Sequence, residues 1–171
     1  MKADVLLKNK IIINMDNKIL LIVIFVSLFL ITCLFILFTN QSEKKGLPAG
    51  RQGRVCFKEY CFDVQLAQNS AEKTKGLMSQ KFLEQNKGML FFFYKVAKYS
   101  FWMKNTLIPL DIIWINKDNK IVFISENNQP CKQFFCPLIT PTKDAKYVLE
   151  LNSGTVQKIE LKLADELNLT Y

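Results

Sequence analysis

From Ile19 to Phe38 the chain reads ILLIVIFVSLFLITCLFILF without a charge, and about 20 such residues in a helix cross a hydrocarbon layer of ~30 Å. A signal peptide has a shorter apolar core, usually about 7–15 residues, closed by an A-x-A-like cleavage site. No such site is apparent, so the run is read as an uncleaved transmembrane helix, residues 19–38, behind a short flank, residues 1–18. Leu30-Ile31-Thr32-Cys33 faintly resembles a lipoprotein processing site, but Thr is a poor residue before the cysteine and the apolar run continues past it. Residues 39–53 lose the apolar pattern. They are polar, with three Gly and one Pro, which is the composition of a flexible tether.

From Arg54 onward short apolar segments alternate with turn residues, and seven of them predict strands: 54–58, 60–67, 88–94, 99–104, 110–116, 120–126 and 146–151. Asn116-Lys117-Asp118-Asn119-Lys120 separates two β-branched runs with the chemistry of a tight turn, which predicts a hairpin over Leu110–Glu126. Asn69 and Glu72 have capping-box spacing ahead of good helix formers, so a short helix is expected over Ala71–Leu77, stopping at Gly76 to Met78. A second is expected over Thr155–Leu161. The expected fold is α+β and mainly antiparallel β: a small barrel- or sandwich-like domain, residues 54–171, with one or two short helices after the single transmembrane helix.

Composition narrows the chemistry. The chain has 171 residues and no histidine, so beyond the anchor there is room for one folded domain. The usual general base near neutral pH, the commonest metal ligand and every Ser-His or Cys-His pair are missing. Of the net charge of +8, about +6 lies beyond residue 18, and a weakly basic domain favours anionic neighbours. No arginine-rich stripe, helix-turn-helix pattern or aromatic RNA-binding signature accompanies that charge, so nucleic acid is not an expected partner. Lys2, Lys8, Lys10 and Lys18 on one side of the apolar run are matched by Lys44, Lys45, Arg51 and Arg54 on the other, which leaves its orientation to other signals.

Cysteine supplies one. Cys56-x4-Cys61 and Cys131-x4-Cys136 form two close pairs, while Cys33 lies in the apolar run, a pattern that suits two local disulfides in an oxidising compartment. A four-cysteine zinc site is the rival reading, but such sites usually use C-x2-C knuckles. The expectation is a single-pass protein of the cell membrane with its C-terminal domain extracytoplasmic, without metal or cofactor.

Four segments occur together in the order and spacing of one family: Gly76-Leu77-Met78, the run Gly88 to Phe93, the run FWMKNTLIPLDII from Phe101 to Ile113, and Tyr147 to Gly154. On these the chain resembles the DUF192 domain family, also called UPF0127, over about residues 56–170. Pro130-Cys131 with Cys136-Pro137 matches a cysteine-bearing loop common in that family. The resemblance implies a compact β-rich fold with short helices and frequent export, and no particular reaction. The anchor and the additional Cys56–Cys61 pair depart from many relatives.

Asp111 stands between Pro109-Leu110 and Ile112-Ile113, where an unpaired carboxylate is costly, so a fixed partner is expected: Lys104, or groups of Asn105 and Thr106. The bolder reading gathers Lys104, Asn105, Thr106 and Asp111 into a polar pocket beside Trp102, with Glu150 and Asn152 approaching from the last strand. Met78, Met89 and Met103 could ligate Cu(I), but methionine is an ordinary core filler. Trp102 and Trp114 with Phe91, Phe92 and Phe93 could present a sugar platform, although alternation prevents all of them from facing solvent together. Glu84, Glu126 and Glu150 could supply an acid/base pair, a weak proposal without a known separation. The leading expectation is a non-catalytic, membrane-tethered module that binds an envelope polymer or a partner protein. The alternative is an envelope-acting enzyme using Asp111, Lys104 and Glu150.

Overall fold

The computed structural model describes the backbone of residues 2–39 and 50–171, with side chains of the first helix described from Asn17 to Phe35. Two compact units result, Met1–Gly46 and Leu47–Tyr171. In the first, α1 (Lys2–Thr39) is one helix, and by length and composition Asn17–Phe35 can cross a membrane. Its apolar side chains are bare, as the lipid-facing surface of a single span would be. The hydroxyls of Ser27 and Thr32 donate back to the carbonyls of Ile24 and Phe29 at 2.8 Å, so neither polar group needs water. The tether expected over residues 39–53 falls mostly outside the described residues.

The second unit contains β1 (Gln52–Phe57), β2 (Tyr60–Ala67), α2 (Ser70–Lys75), β3 (Lys87–Ala97), β4 (Leu110–Ile115), β5 (Ile121–Asn128), β6 (Ala145–Asn152), α3 (Thr155–Lys158) and β7 (Asn168–Thr170). The strands form one sheet in the order β5-β4-β6-β3-β2-β1-β7, antiparallel throughout except for the parallel pair β2–β3. The segment leading into β7 also bonds the start of β5, with Ile121 N donating to Asp165 O and Leu167 N to Asn119 O, both at 2.9 Å. The C-terminal segment thus bonds near both edges of the sheet, which curls toward a small barrel.

The local signals act where they are written. Asn69 and Glu72 form a complete capping box on α2, and Gly76 ends it with φ +47°. Asn116 Oδ1 accepts from the amides of Asp118 and Lys120 at 2.9 Å, closing the β4–β5 turn. Both cysteine pairs lie at disulfide distance, 2.09 Å for Cys56–Cys61 and 2.06 Å for Cys131–Cys136. Among the described residues no three metal-ligating side chains converge, so the four cysteines do not assemble the zinc site weighed above. The strand expected over 99–104 does not form. Phe101 and Lys104 make only isolated bridges, to Ile139 and Cys131, because this segment lies across the sheet as a cover. The seventh strand is instead Asn168–Thr170.

Inside the curl lies one apolar cluster, including Val55, Leu90, Ile113, Ile115, Leu149, Leu151 and Leu167. On the outer face of β3, β4 and β6 lies a second, with Met89, Phe91, Met103, Leu110, Ile112, Trp114 and Val148, roofed by the loops after α2 and around Phe101. All six residues of β4 are therefore buried, as befits a strand covered on both faces. Leu167, 2% exposed, plugs the seam of the curl. Leu167→Ala is expected to lower unfolding stability by about 2–5 kcal/mol, read from urea midpoints at unchanged m-value.

A candidate site around a buried carboxyl

Strand register aims Glu150 at the outer cluster. Its backbone partners are Met89 on β3 and Ile112 on β4, so on the alternating pleat its side chain leaves the sheet with Ile112 and Val148. There it is 5% exposed, and Oε2 has no hydrogen-bond partner. Native structures rarely leave such an atom unpaired. Burial pushes the carboxyl up to about 8 from an ordinary 4.5, so at neutral pH it is a neutral acid, able to donate one hydrogen bond and accept others.

Beside it is a cavity of about 30 Å³ lined by Met78, Phe91, Phe101, Trp102, Thr106 and the turn Lys73–Leu77. That volume admits a water-sized group. Gly76 shapes it: a Cβ there would meet Phe91 Cζ at 3.3 Å and Glu150 Oε2 at 3.8 Å, at a backbone φ of +47°. Two ammonium groups stand close by. Lys73 Nζ lies 4.7 Å from the centre of the Phe93 ring, and its pKa is lowered chiefly by burial. Lys104 Nζ lies 5.3 Å from the Trp102 ring and 5.6 Å from the Phe134 ring. A larger hollow, about 180 Å³ between Tyr60, Asn86 and Lys158, contains no buried unpaired polar atom among the described residues.

The expected pocket is thus assembled only in part. Glu150, Thr106 and Trp102 meet at the cavity, with Lys104 on the outer side of Trp102. Asn105, in the left-handed region at φ +55°, is used in its backbone: its amide donates to Cys131 O and its carbonyl accepts from Ser79 N, both at 2.9 Å. Asn152 Nδ2 donates to the carbonyls of Leu83 and Glu84 at 3.1 Å. Met89 and Met103 are core residues, and only Met78 reaches the cavity.

Asp111 is elsewhere. It pairs with Leu151, one position out of phase with Glu150, so the two carboxyls leave the sheet on opposite faces. Its partner is not Lys104. Oδ1 accepts from Asn127 N and Oδ2 from Val156 N, both at 2.9 Å, with the residue fully buried. Gly154 caps α3 at φ +82° and brings no side chain, so Asp111, the register partner of Leu151 on the neighbouring strand, supplies the missing acceptor.

The profile of the family DUF192, described as an uncharacterized ACR, matches residues 54–169. The chain belongs to the DUF192 family. Its structure is similar to a protein from Sinorhizobium meliloti 1021 named as a proposed transcription regulator, at 32% identity and a TM-score of 0.63, covering 69% of this chain and 92% of that one. It is similar too to a protein of unknown function from Novosphingobium aromaticivorans, at 31% identity and a TM-score of 0.62, covering 68% and 83%. No functionally curated protein matches. In this DUF192 domain the four segments that carry the resemblance meet at one place: Gly76 and Met78, Phe91, Phe101, Trp102 and Thr106, and Glu150 all line the same cavity. Sequence reasoning missed Lys73, Gly76, Met78, Phe91 and Phe101 as lining residues, although all but Lys73 stand in those motifs.

Because the folded pKa of Glu150 lies above the unfolded one, the folded state holds an extra proton between about pH 4.5 and 8. Stability is full below that window and declines through it, by at most about 1.4 kcal/mol per pH unit. Glu150→Gln is expected to flatten that decline in a series of melting temperatures against pH. Asp111→Ala, which strands two buried amides, is expected to cost about 3–5 kcal/mol in chemical denaturation.

Proposed function

We propose that this DUF192 domain is a membrane-tethered, extracytoplasmic binding module that receives a hydroxyl-bearing group of an anionic envelope component at the Glu150 cavity. The observation that carries the reading is the buried carboxyl with a free oxygen, facing a cavity just large enough for one small polar group. A neutral carboxylic acid and the Thr106 hydroxyl complement a hydroxyl in both donor and acceptor senses, Trp102 offers a stacking face, and the nearby lysines suit an acidic neighbour on the ligand. The apolar helix and two cysteine pairs at bonding distance support the location.

Catalysis on the alternative plan lacks its constellation. Cleavage of a glycosidic bond needs two carboxyl groups about 5–10 Å apart across the bond, whereas Glu150 is the single carboxylate lining the cavity and Asp111 is sealed on the other face. Nor does the name of the Sinorhizobium protein transfer. The helices of the folded unit beyond α1 span six and four residues, too short to lie in a DNA groove as a recognition helix.

Titration of the chain with acidic oligogalacturonides against neutral cello-oligosaccharides, followed by tryptophan emission, checks the reading. Binding of the acidic series, weakened about tenfold or more by Glu150→Leu and by Trp102→Ala, is expected. Equal affinity of wild type and Glu150→Leu for every ligand would remove the cavity from the function. Location is read separately. An impermeant maleimide applied to intact cells should label Cys56, Cys61, Cys131 and Cys136 only after reduction, and labelling only after lysis would place the domain inside.

A further inference from the structure

Next to the cavity two joined segments combine bare apolar groups with positive charge. Segments 97–110 and 127–143 are joined by the backbone bridges Phe101–Ile139 and Lys104–Cys131. Together they contain four lysines and no Asp or Glu. The Cys131–Cys136 bridge closes the tip of the second segment, and on that tip Phe134 and Phe135 are 81% and 82% exposed. Their rings pack edge-on against each other, with centroids 4.8 Å apart. Trp102, 41% exposed, completes the aromatic row, with the Lys104 ammonium between its ring and that of Phe134. Two adjacent phenylalanines held this bare on a cross-linked loop are an uncommon feature of a surface that faces only water. Aromatic rings and apolar groups among ammonium heads are the chemistry of a bilayer interface.

We propose that the 131–136 loop docks on an anionic lipid surface, that of the membrane holding the chain's own apolar helix; this rests on the anchor reading above. The short stretch from Thr39 to Gln52 reaches at most about 45 Å even when fully extended. The domain is therefore confined beside the bilayer, and a contact too weak to hold a free protein is formed intramolecularly. Phe134 and Phe135 enter the acyl boundary, while Lys104 and Lys132 meet the headgroups. Since Trp102 belongs both to this face and to the cavity lining, docking brings the Glu150 cavity to headgroup level, where hydroxyl-bearing headgroups are its nearest ligands.

The full chain in nanodiscs offers a direct test, because Trp102 is the exposed one of its two tryptophans and Trp114 is fully buried. Lipids brominated high on the acyl chain quench tryptophan emission on contact. In discs containing phosphatidylglycerol the expected result is loss of Trp102 emission, absent from Trp102→Phe and relieved by high salt. Phe134→Ser with Phe135→Ser abolishes the quenching at unchanged circular dichroism, and Lys132→Glu, which keeps both rings, weakens it. Chain that does not co-elute with the discs overturns the anchor reading and the docking with it. Co-elution without quenching, or with quenching unaltered in the double variant, leaves the anchor standing and overturns the docking alone. Two chains per disc with Trp102 unquenched assigns the face to a second copy and likewise overturns it.

Discussion

Everything in the folded unit depends on the double burial of its central strands. β4 and β6 are packed between an inner and an outer apolar cluster, so water is excluded from both faces and each polar atom there must find a partner within the protein or remain unpaired. The two carboxyls on these strands resolve that constraint in opposite ways. Asp111 is closed off by the amides of Asn127 and Val156 and ties the end of β5 and the start of α3 to the sheet. Glu150 keeps an oxygen free in a small cavity and is held protonated by burial. The first is an internal cap, and the second keeps an unpaired oxygen beside the cavity.

The cavity beside Glu150 depends on the roof over the outer cluster. The segment from Phe101 to Thr106 is clamped by backbone bonds to Ile139, Cys131 and Ser79, while the disulfide at Cys131–Cys136 restrains the loop that supplies two of these contacts. On the opposite side Gly76 lets the chain turn closely over Phe91 and the Glu150 carboxyl. The cavity is therefore a property of the seams between loops and sheet. The same clamped loops carry the exposed aromatic row outward, so the cavity lining and that row share Trp102.

Much of this was legible beforehand where the governing interactions are local. The apolar run, the capping box at Asn69 and Glu72, the turn at Asn116 and the pairing of cysteines five positions apart each involve groups within a few residues, and their chemistry is written directly in the order of side chains. The motifs of the DUF192 family marked the segments that meet at the cavity. The segment 99–104 misled, because its apolar alternation is the same whether it lies within a sheet or across one.

The sequence alone determined a single apolar helix, a mainly antiparallel β domain, two cysteine pairs and a buried Asp111 requiring a partner. Only the tertiary structure decided that the partner is a pair of amides, one at the end of β5 and one at the start of α3, and that Glu150 lies on the opposite face. It also decided that the C-terminal segment bonds the start of β5 just before it pairs with β1 as the final strand. The physical reason is that side-chain period and capping act over a few residues, whereas register between strands dozens of residues apart decides which carboxyl is sealed and which stays open.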